Sequence, residues 1–306
     1  MDKAVAYIDL LGFSNFVRQS LHDAMMAITN FNTIISELIF EKKVHPSSGY
    51  IPCLQGLAMR SSIEAVDDFL PFSDSVFLTS QRCSDFVKQL GSFVRRSFLI
   101  EANYYMHPID PTDPTKIEIP NLFGGPSQET HVPPTLFRGG LSFGEVQNMT
   151  PTGIVSGQEV QMNTIAGIAV VNAVGLEGEV KGPRLVMDES LYSQLDADAK
   201  QYCRKLPENT ELYEVLWPMM GYIEGNHFSG EFGNFGELFT PAYNLWKPFG
   251  SDSVVGLQYE KFMEIVIVSA LQAYDLFWGE KDFALQRIEK ILQDKGLRKK
   301  FDYLMQ

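Results

Sequence analysis

Two aspartates, Asp9 and Asp74, combine a reactive side-chain type with a telling position. Asp9 ends the apolar run AVAYIDL at residues 4–10, which reads as a short buried strand. The turn Leu11-Gly12-Phe13-Ser14 follows and opens a helix. Asp74 lies in Phe72-Ser73-Asp74-Ser75, the expected tip of a hairpin over residues 63–79. A carboxylate in so apolar a setting is costly unless it is paired or metal-bound. If the two strands are neighbours, both carboxylates meet beside the N-terminus of the helix near Phe13, where unsatisfied N–H groups favour phosphate. Such a place suits Mg2+ or Mn2+ and a triphosphate. On spacing alone the alternative stays open: Asp9 caps its helix and Asp74 decorates a turn.

The elements that must position these groups follow from periodicity. Apolar residues at Val17, Leu21, Ala24, Ile28, Phe31, Ile35 and Leu38 put one stripe on one helix face. Ser84 caps a second helix carrying Phe86, Leu90, Val94 and Phe98, which runs out near Tyr105. Residues 108–134 hold seven of the sixteen prolines and read as a long irregular arm. Residues 137–146 (FRGGLSFGEV) form a strand, 165–177 a small-residue helix, and 183–187 another strand. Residues 212–217 add a strand, 224–236 read as loop, and 257–278 and 283–304 as amphipathic helices. The order βα, ββ, α, β, α, β predicts an α+β fold: a mixed sheet with helices on one side.

Composition narrows the function. The 306 residues carry 38 acids and 25 bases, a net charge of −13, so a non-specific nucleic-acid binder with a basic face is disfavoured. An apolar fraction of 45% marks a globular chain, one elaborated domain or two small ones. Cys53, Cys83 and Cys203 are far apart and odd in number, so neither a disulfide framework nor a zinc ribbon is expected, and a reducing cytoplasm fits. His22, His45, His107, His131 and His227 are scattered, which argues against a zinc site. The N-terminus lacks the basic and apolar regions of a signal peptide, and the apolar run at 265–270 is far too short to span a bilayer.

The segment Ala6-Tyr7-Ile8-Asp9-Leu10-Leu11-Gly12-Phe13-Ser14 resembles the first-metal segment of class III nucleotidyl cyclases, and Phe72-Ser73-Asp74-Ser75 resembles their second-metal hairpin. Arg138-Gly139-Gly140-Leu141-Ser142-Phe143-Gly144 is similar to their next strand. Residues 167–177 (GIAVVNAVGLE) followed by Pro183-Arg184-Leu185 are similar to their small-residue helix and closing strand. The match spans about residues 4–190 in the right order, and the branch it most resembles is the pyrimidine cyclases of bacterial Pycsar anti-phage systems.

The resemblance implies a ferredoxin-like cyclase core over residues 1–190, with the Pro-rich arm at 108–134 and closing strands and a helical extension in 191–306. It implies a head-to-tail homodimer with sites assembled across the interface. Asp9, Asp74 and the Leu10 carbonyl would hold two Mg2+ or Mn2+ ions, and the amides of Leu11, Gly12 and Phe13 would cradle the phosphates. The expected reaction converts UTP or CTP into a 3′,5′-cyclic monophosphate, read by a separate effector. Departures from the family matter here. Its purine-reading positions are Leu70 and Thr164, its helix Asn and Arg positions are Val171 and Gly175, and Glu145 stands where a base is usual. Purine selectivity is therefore disfavoured. Asn172 is a shifted substitute for the Asn, and Arg138 is the first candidate for meeting transition-state charge, unless it is simply a solvated cation at a strand start. Tyr50 and Asp68 are candidates for reading a base edge, or else are structural. The alternatives are a degenerate cyclase that senses nucleotide or dimerises without turnover, and a ferredoxin-like RNA-binding domain. The net charge and the lack of an aromatic RNP-like strand count against the latter.

Overall fold

The computed structural model describes residues 1–35, 65–119, 121, 125–156, 158–161, 163–222, 233–250, 252 and 254–305. The strands are β1 (Asp2–Leu10), β2 (Asp68–Phe72), β3 (Ser75–Ser80), β4 (Lys116–Ile119), β5 (Gln128–His131), β6 (Phe137–Glu145), β7 (Gln147–Met149), β8 (Thr152–Val155), β9 (Gln158–Gln161), β10 (Thr164–Ala166), β11 (Leu185–Asp188), β12 (Cys203–Lys205) and β13 (Leu212–Val215). The α-helices are α1 (Phe13–Gln19), α2 (Leu21–Ile35), α3 (Cys83–Met106), α4 (Ile168–Gly178), α5 (Glu189–Tyr192), α6 (Ala197–Lys200), α7 (Gly233–Trp246), α8 (Val255–Trp278) and α9 (Lys281–Asp294).

Seven strands form one mixed sheet in the order β12-β13-β11-β6-β1-β3-β2. β1 lies near the centre, antiparallel to both β3 and β6, while β6 and β11 run parallel. The α+β architecture expected from the sequence is present, C-terminal helices included. β1 is buried on both faces, which explains its nearly continuous apolar sequence. Ala4, Ala6, Ile8 and Leu10 enter the main core with Phe86, Leu90 and Phe98 of α3. Val5 joins Ala169 and Ala173 of α4 in a small cluster on the opposite face. Helices thus lie on both faces, α4 on the face away from α3, rather than on one side. Gly140 makes this possible: a Cβ there would meet the Ala173 carbonyl oxygen at 2.0 Å, so only glycine lets α4 lie so close to β6.

The C-terminal third is built into the same body. β13 pairs with β11, and Trp217 just beyond it is fully buried. Its indole N–H donates to the Pro183 carbonyl at 2.7 Å. Arg184, buried beside β11, pairs with Glu264 of α8 at 2.7 Å and with Glu214 of β13 at 3.2 Å.

Four local expectations change. The first helix is two, broken at Ser20, and the break rephases the stripe: Val17 and Leu21 are exposed, whereas Ala24, Ala27, Phe31 and Ile34 are buried. Ile165 belongs to β10, so α4 starts only at Ile168. The last long helix stops at Asp294, where Gly296 at φ 70° and a Leu297 N–H to Leu292 carbonyl bond of 2.7 Å close its end. Residues 233–236, expected as loop, begin α7, whose Phe235, Leu238, Phe239, Ala242 and Leu245 are buried.

Candidate active site

The strand register brings the acids together. Asp9 lies opposite Ser75 of β3 on one side and Arg138 of β6 on the other. Asp74 occupies the two-residue turn between β2 and β3, where Ser73 takes φ 49°. The Leu10 N–H donates to the Asp74 carbonyl at 2.9 Å, which ties this turn to the end of β1. Both aspartates therefore stand at the same edge of the sheet, at neighbouring strand tips.

Two further side chains complete the cluster. The Arg138 guanidinium lies 3.7 Å from Asp9 and forms an ion pair with Glu177 near the end of α4. Arg138 is not a solvated surface cation; its side chain is 18% exposed and Glu177 is 13% exposed. The sequence reading assigned no role to Glu177. The signal was there in the spacing: Ala169, Ala173 and Glu177 follow one another at four-residue steps, and the first two face the sheet.

Two carboxylates thus flank one guanidinium, and Asp74 is close enough to Asp9 to repel it. Burial, then repulsion from Glu177 and Asp74, pushes the Asp9 carboxyl up to about 7, against the opposing pull of Arg138. Burial, together with Asp9, Glu177 and Asp74, also raises the phenol of Tyr7, two residues back on the same strand face. An excess of clustered negative charge that one cation does not cancel is what a divalent ion relieves. Oxygen donors such as Asp9 and Asp74 suit Mg2+ or Mn2+. Among the described residues no group of three or more His, Cys, Asp or Glu side chains is arranged to hold a metal.

The remaining predicted residues separate into two sets. Leu11, Gly12 and Phe13 follow Asp9, with Gly12 at φ 85° supplying the turn. The Leu11 N–H, however, donates to the Leu136 carbonyl at 2.8 Å and is not available to a phosphate. Asp68 and Asn172 lie farther along the same sheet face. Asp68 pairs with Thr79, which faces Val5, so it is offset from Asp9 by about 13 Å along the strand direction and by two strands across the sheet. Its carboxylate accepts from Lys3 at 2.7 Å and from Thr79 at 2.5 Å. Burial works against ionisation there, but these bonds and one from Asn148 hold the Asp68 carboxyl below its ordinary value. Asn172 donates to Ser142 at 3.5 Å, and Ser142 in turn donates to Asp188 at 2.6 Å. Leu70 is buried opposite Phe77, Val171 is exposed on α4, and a Cβ at Gly175 would meet open space. Tyr50 lies outside the described residues.

No protein-family model matches the chain, and no curated protein does. Among solved structures, a bacterial light-regulated adenylyl cyclase is 15% identical, over 70% of this chain and 89% of that chain, with a TM-score of 0.40. The adenylyl cyclase CyaB from P. aeruginosa is 12% identical, over 70% of this chain and 93% of that one, with a TM-score of 0.40. Adenylate cyclases from Trypanosoma brucei give 11% identity, over 75% of this chain and 92% of theirs, with a TM-score of 0.43. The likeness is one of fold, and no helix among the described residues is long and apolar enough to cross a membrane.

Proposed function

We propose that the chain is a metal-dependent nucleotidyl cyclase that converts UTP or CTP into the 3′,5′-cyclic monophosphate and pyrophosphate, a messenger of anti-phage defence. The observation that carries this reading is the meeting of Asp9 and Asp74 at adjoining strand tips, joined by the Leu10 to Asp74 backbone bond. Asp9, Asp74 and the Leu10 carbonyl would hold two Mg2+ or Mn2+ ions, which when bound supply activation of the ribose 3′-hydroxyl and neutralisation of the leaving pyrophosphate. With the Leu11 amide engaged elsewhere, the phosphate-binding role falls to Gly12 and Phe13.

Arg138 is the charge-stabilising residue of this proposal, standing within the cluster where the family's helix Arg is replaced by Gly175. It is shared between Asp9 and Glu177, which would hold it beside the reacting phosphate. Asp68 remains the candidate for reading a base edge and Asn172 the substitute for the family's helix Asn, both at the far end of the same face. Ile168, Val171 and Val174 leave an exposed apolar row along α4, which suits pairing with a second copy across the site. Residues 1–190 would then form the catalytic unit, with residues 191–306 supporting it.

The degenerate-cyclase reading draws on one observation, that Val171 and Gly175 offer α4 no polar group at the positions of the family's Asn and Arg. A screen of the four radiolabelled nucleoside triphosphates with Mn2+ separates the two. One pyrimidine triphosphate should be cyclised by a sedimenting dimer, and Asp74→Ala should abolish turnover. Four intact triphosphates at high enzyme concentration would put the sensing module ahead, and turnover by a strict monomer would remove the shared site.

A further inference from the structure

Beside the aspartate cluster the chain encloses a cavity of about 690 Å3, the size of many small-molecule sites. Three segments distant in sequence build it. The turn after β1 contributes Leu11 and Gly12, the Pro-rich arm contributes residues 112–115 with His131, Pro133 and Pro134, and the C-terminal third contributes Phe249, Gln258 and Tyr259. Arg138 lines the cavity and reaches Asp9 and Glu177, so it joins this space to the acids.

The arm's wall is held in place by its own bonds. Asp110 accepts from the N–H and hydroxyl of Thr112 at 2.8 and 2.7 Å. Asp113 accepts from the Thr115 hydroxyl at 2.7 Å and lies 2.9 Å from His131 Nε2. The Tyr105 phenol donates to the Val132 carbonyl at 3.0 Å, and Asn244 of α7 donates to the Tyr105 carbonyl at 2.8 Å. A cavity preformed in this way binds without the cost of ordering its wall.

Its chemistry points to a flat, uncharged occupant. The charged groups on the wall already have partners within the protein: Arg138 lies against Asp9 and Glu177, and Asp113 against the His131 ring. Phe249 and Tyr259 stand 6.3 Å apart with ring planes 26° from parallel, and Pro114, Pro133 and Pro134 add flat apolar faces. Gln258 is fixed by accepting the Gly182 N–H and gives this wall an amide edge. We propose that this cavity binds a nucleobase, a planar neutral heteroaromatic ring, and that its occupant acts on the aspartate cluster through Arg138. The base could belong to the substrate or to a separate effector nucleoside. The inference does not require turnover, so it can fail while the cyclase reading stands, and the reverse.

Calorimetric titration of the metal-free full chain with uridine, cytidine, adenosine and guanosine tests it, since none of these carries a phosphate. At least one should bind with one site per chain. Phe249→Ala should weaken binding about ten-fold through lost stacking, and Thr112→Trp, which fills the cavity, should abolish it. Val254→Trp at the cavity wall replaces the latter variant if it does not fold. Ile154→Ala, an exposed substitution outside the cavity, should bind as the wild type does. A triphosphate that displaces the nucleoside assigns the pocket to the substrate's base, and additive binding assigns it to an effector; either result keeps the pocket. The proposal is overturned if no nucleoside binds at millimolar concentration, if binding survives both pocket variants, or if it is equally lost in Ile154→Ala.

Discussion

Along β1, Ala4, Ala6, Ile8 and Leu10 turn to one face of the sheet, and Val5, Tyr7 and Asp9 turn to the other. The first face is sealed by α3 and, beyond it, by α7 and α8 in one continuous apolar core. The second is covered by the small-residue helix α4, and at its edge Asp9 and Glu177 flank one arginine while Asp74 repels Asp9. One strand therefore serves two purposes through its period of two. The sealed face contributes stability, and the open face accepts electrostatic strain that a cation or a substrate can relieve.

Substitutions on the two faces should behave oppositely. Trp217→Ala, within the sealed core, removes a fully buried indole and its bond to Pro183, and should cost about 3–5 kcal/mol in denaturant unfolding. A loss under 1 kcal/mol would mean that this core is not the stabilising one.

Glu101 of α3 sharpens the contrast, because it is a carboxyl placed in the sealed region. Burial pushes it up to about 7, although Thr135 and Asn30 donate to it. Its folded value stands above its unfolded one, so folding takes up a proton between roughly 4.5 and 7. Stability should be complete below that window, fall as pH rises through it, and level off above, by up to about 3 kcal/mol for this group. Glu101→Gln should flatten that part of the profile in thermal melts across pH, and an unchanged slope would show that Glu101 is not the group responsible.

The smallest effect is expected on the open face. Asp9→Asn removes one of the crowded carboxylates, so at pH 8 the protein should be as stable as wild type or more so, by on the order of 1 kcal/mol. A clear loss of stability would make Asp9 a structural residue.

How much of this could be read from the chain depends on where the information lies. β1, the hairpin around Asp74, α3 and β6 announce themselves through period and turn residues, and the pairing of the two aspartates follows once β1 and β3 are taken as neighbours. Helix α7 does not, because it opens with Gly233 and Asn234 and carries Pro241 inside, all signals against a helix; burial of Phe235, Leu238 and Phe239 outweighs them. The engagement of the Leu11 amide by Leu136 and the cavity under the Pro-rich arm are tertiary facts with no local signature. Glu177 lay between these extremes, legible in its four-residue step from Ala173 but not in its ion pair with Arg138.

The central claim is that Asp9 and Asp74 together hold divalent cations. Electron paramagnetic resonance titration of Mn2+ in the presence of UTP or CTP measures this directly, comparing wild type with Asp9→Asn and Asp74→Asn. The account predicts tight Mn2+ binding by the wild type and a loss of at least ten-fold in affinity in each variant. Equal Mn2+ binding by all three proteins would contradict it.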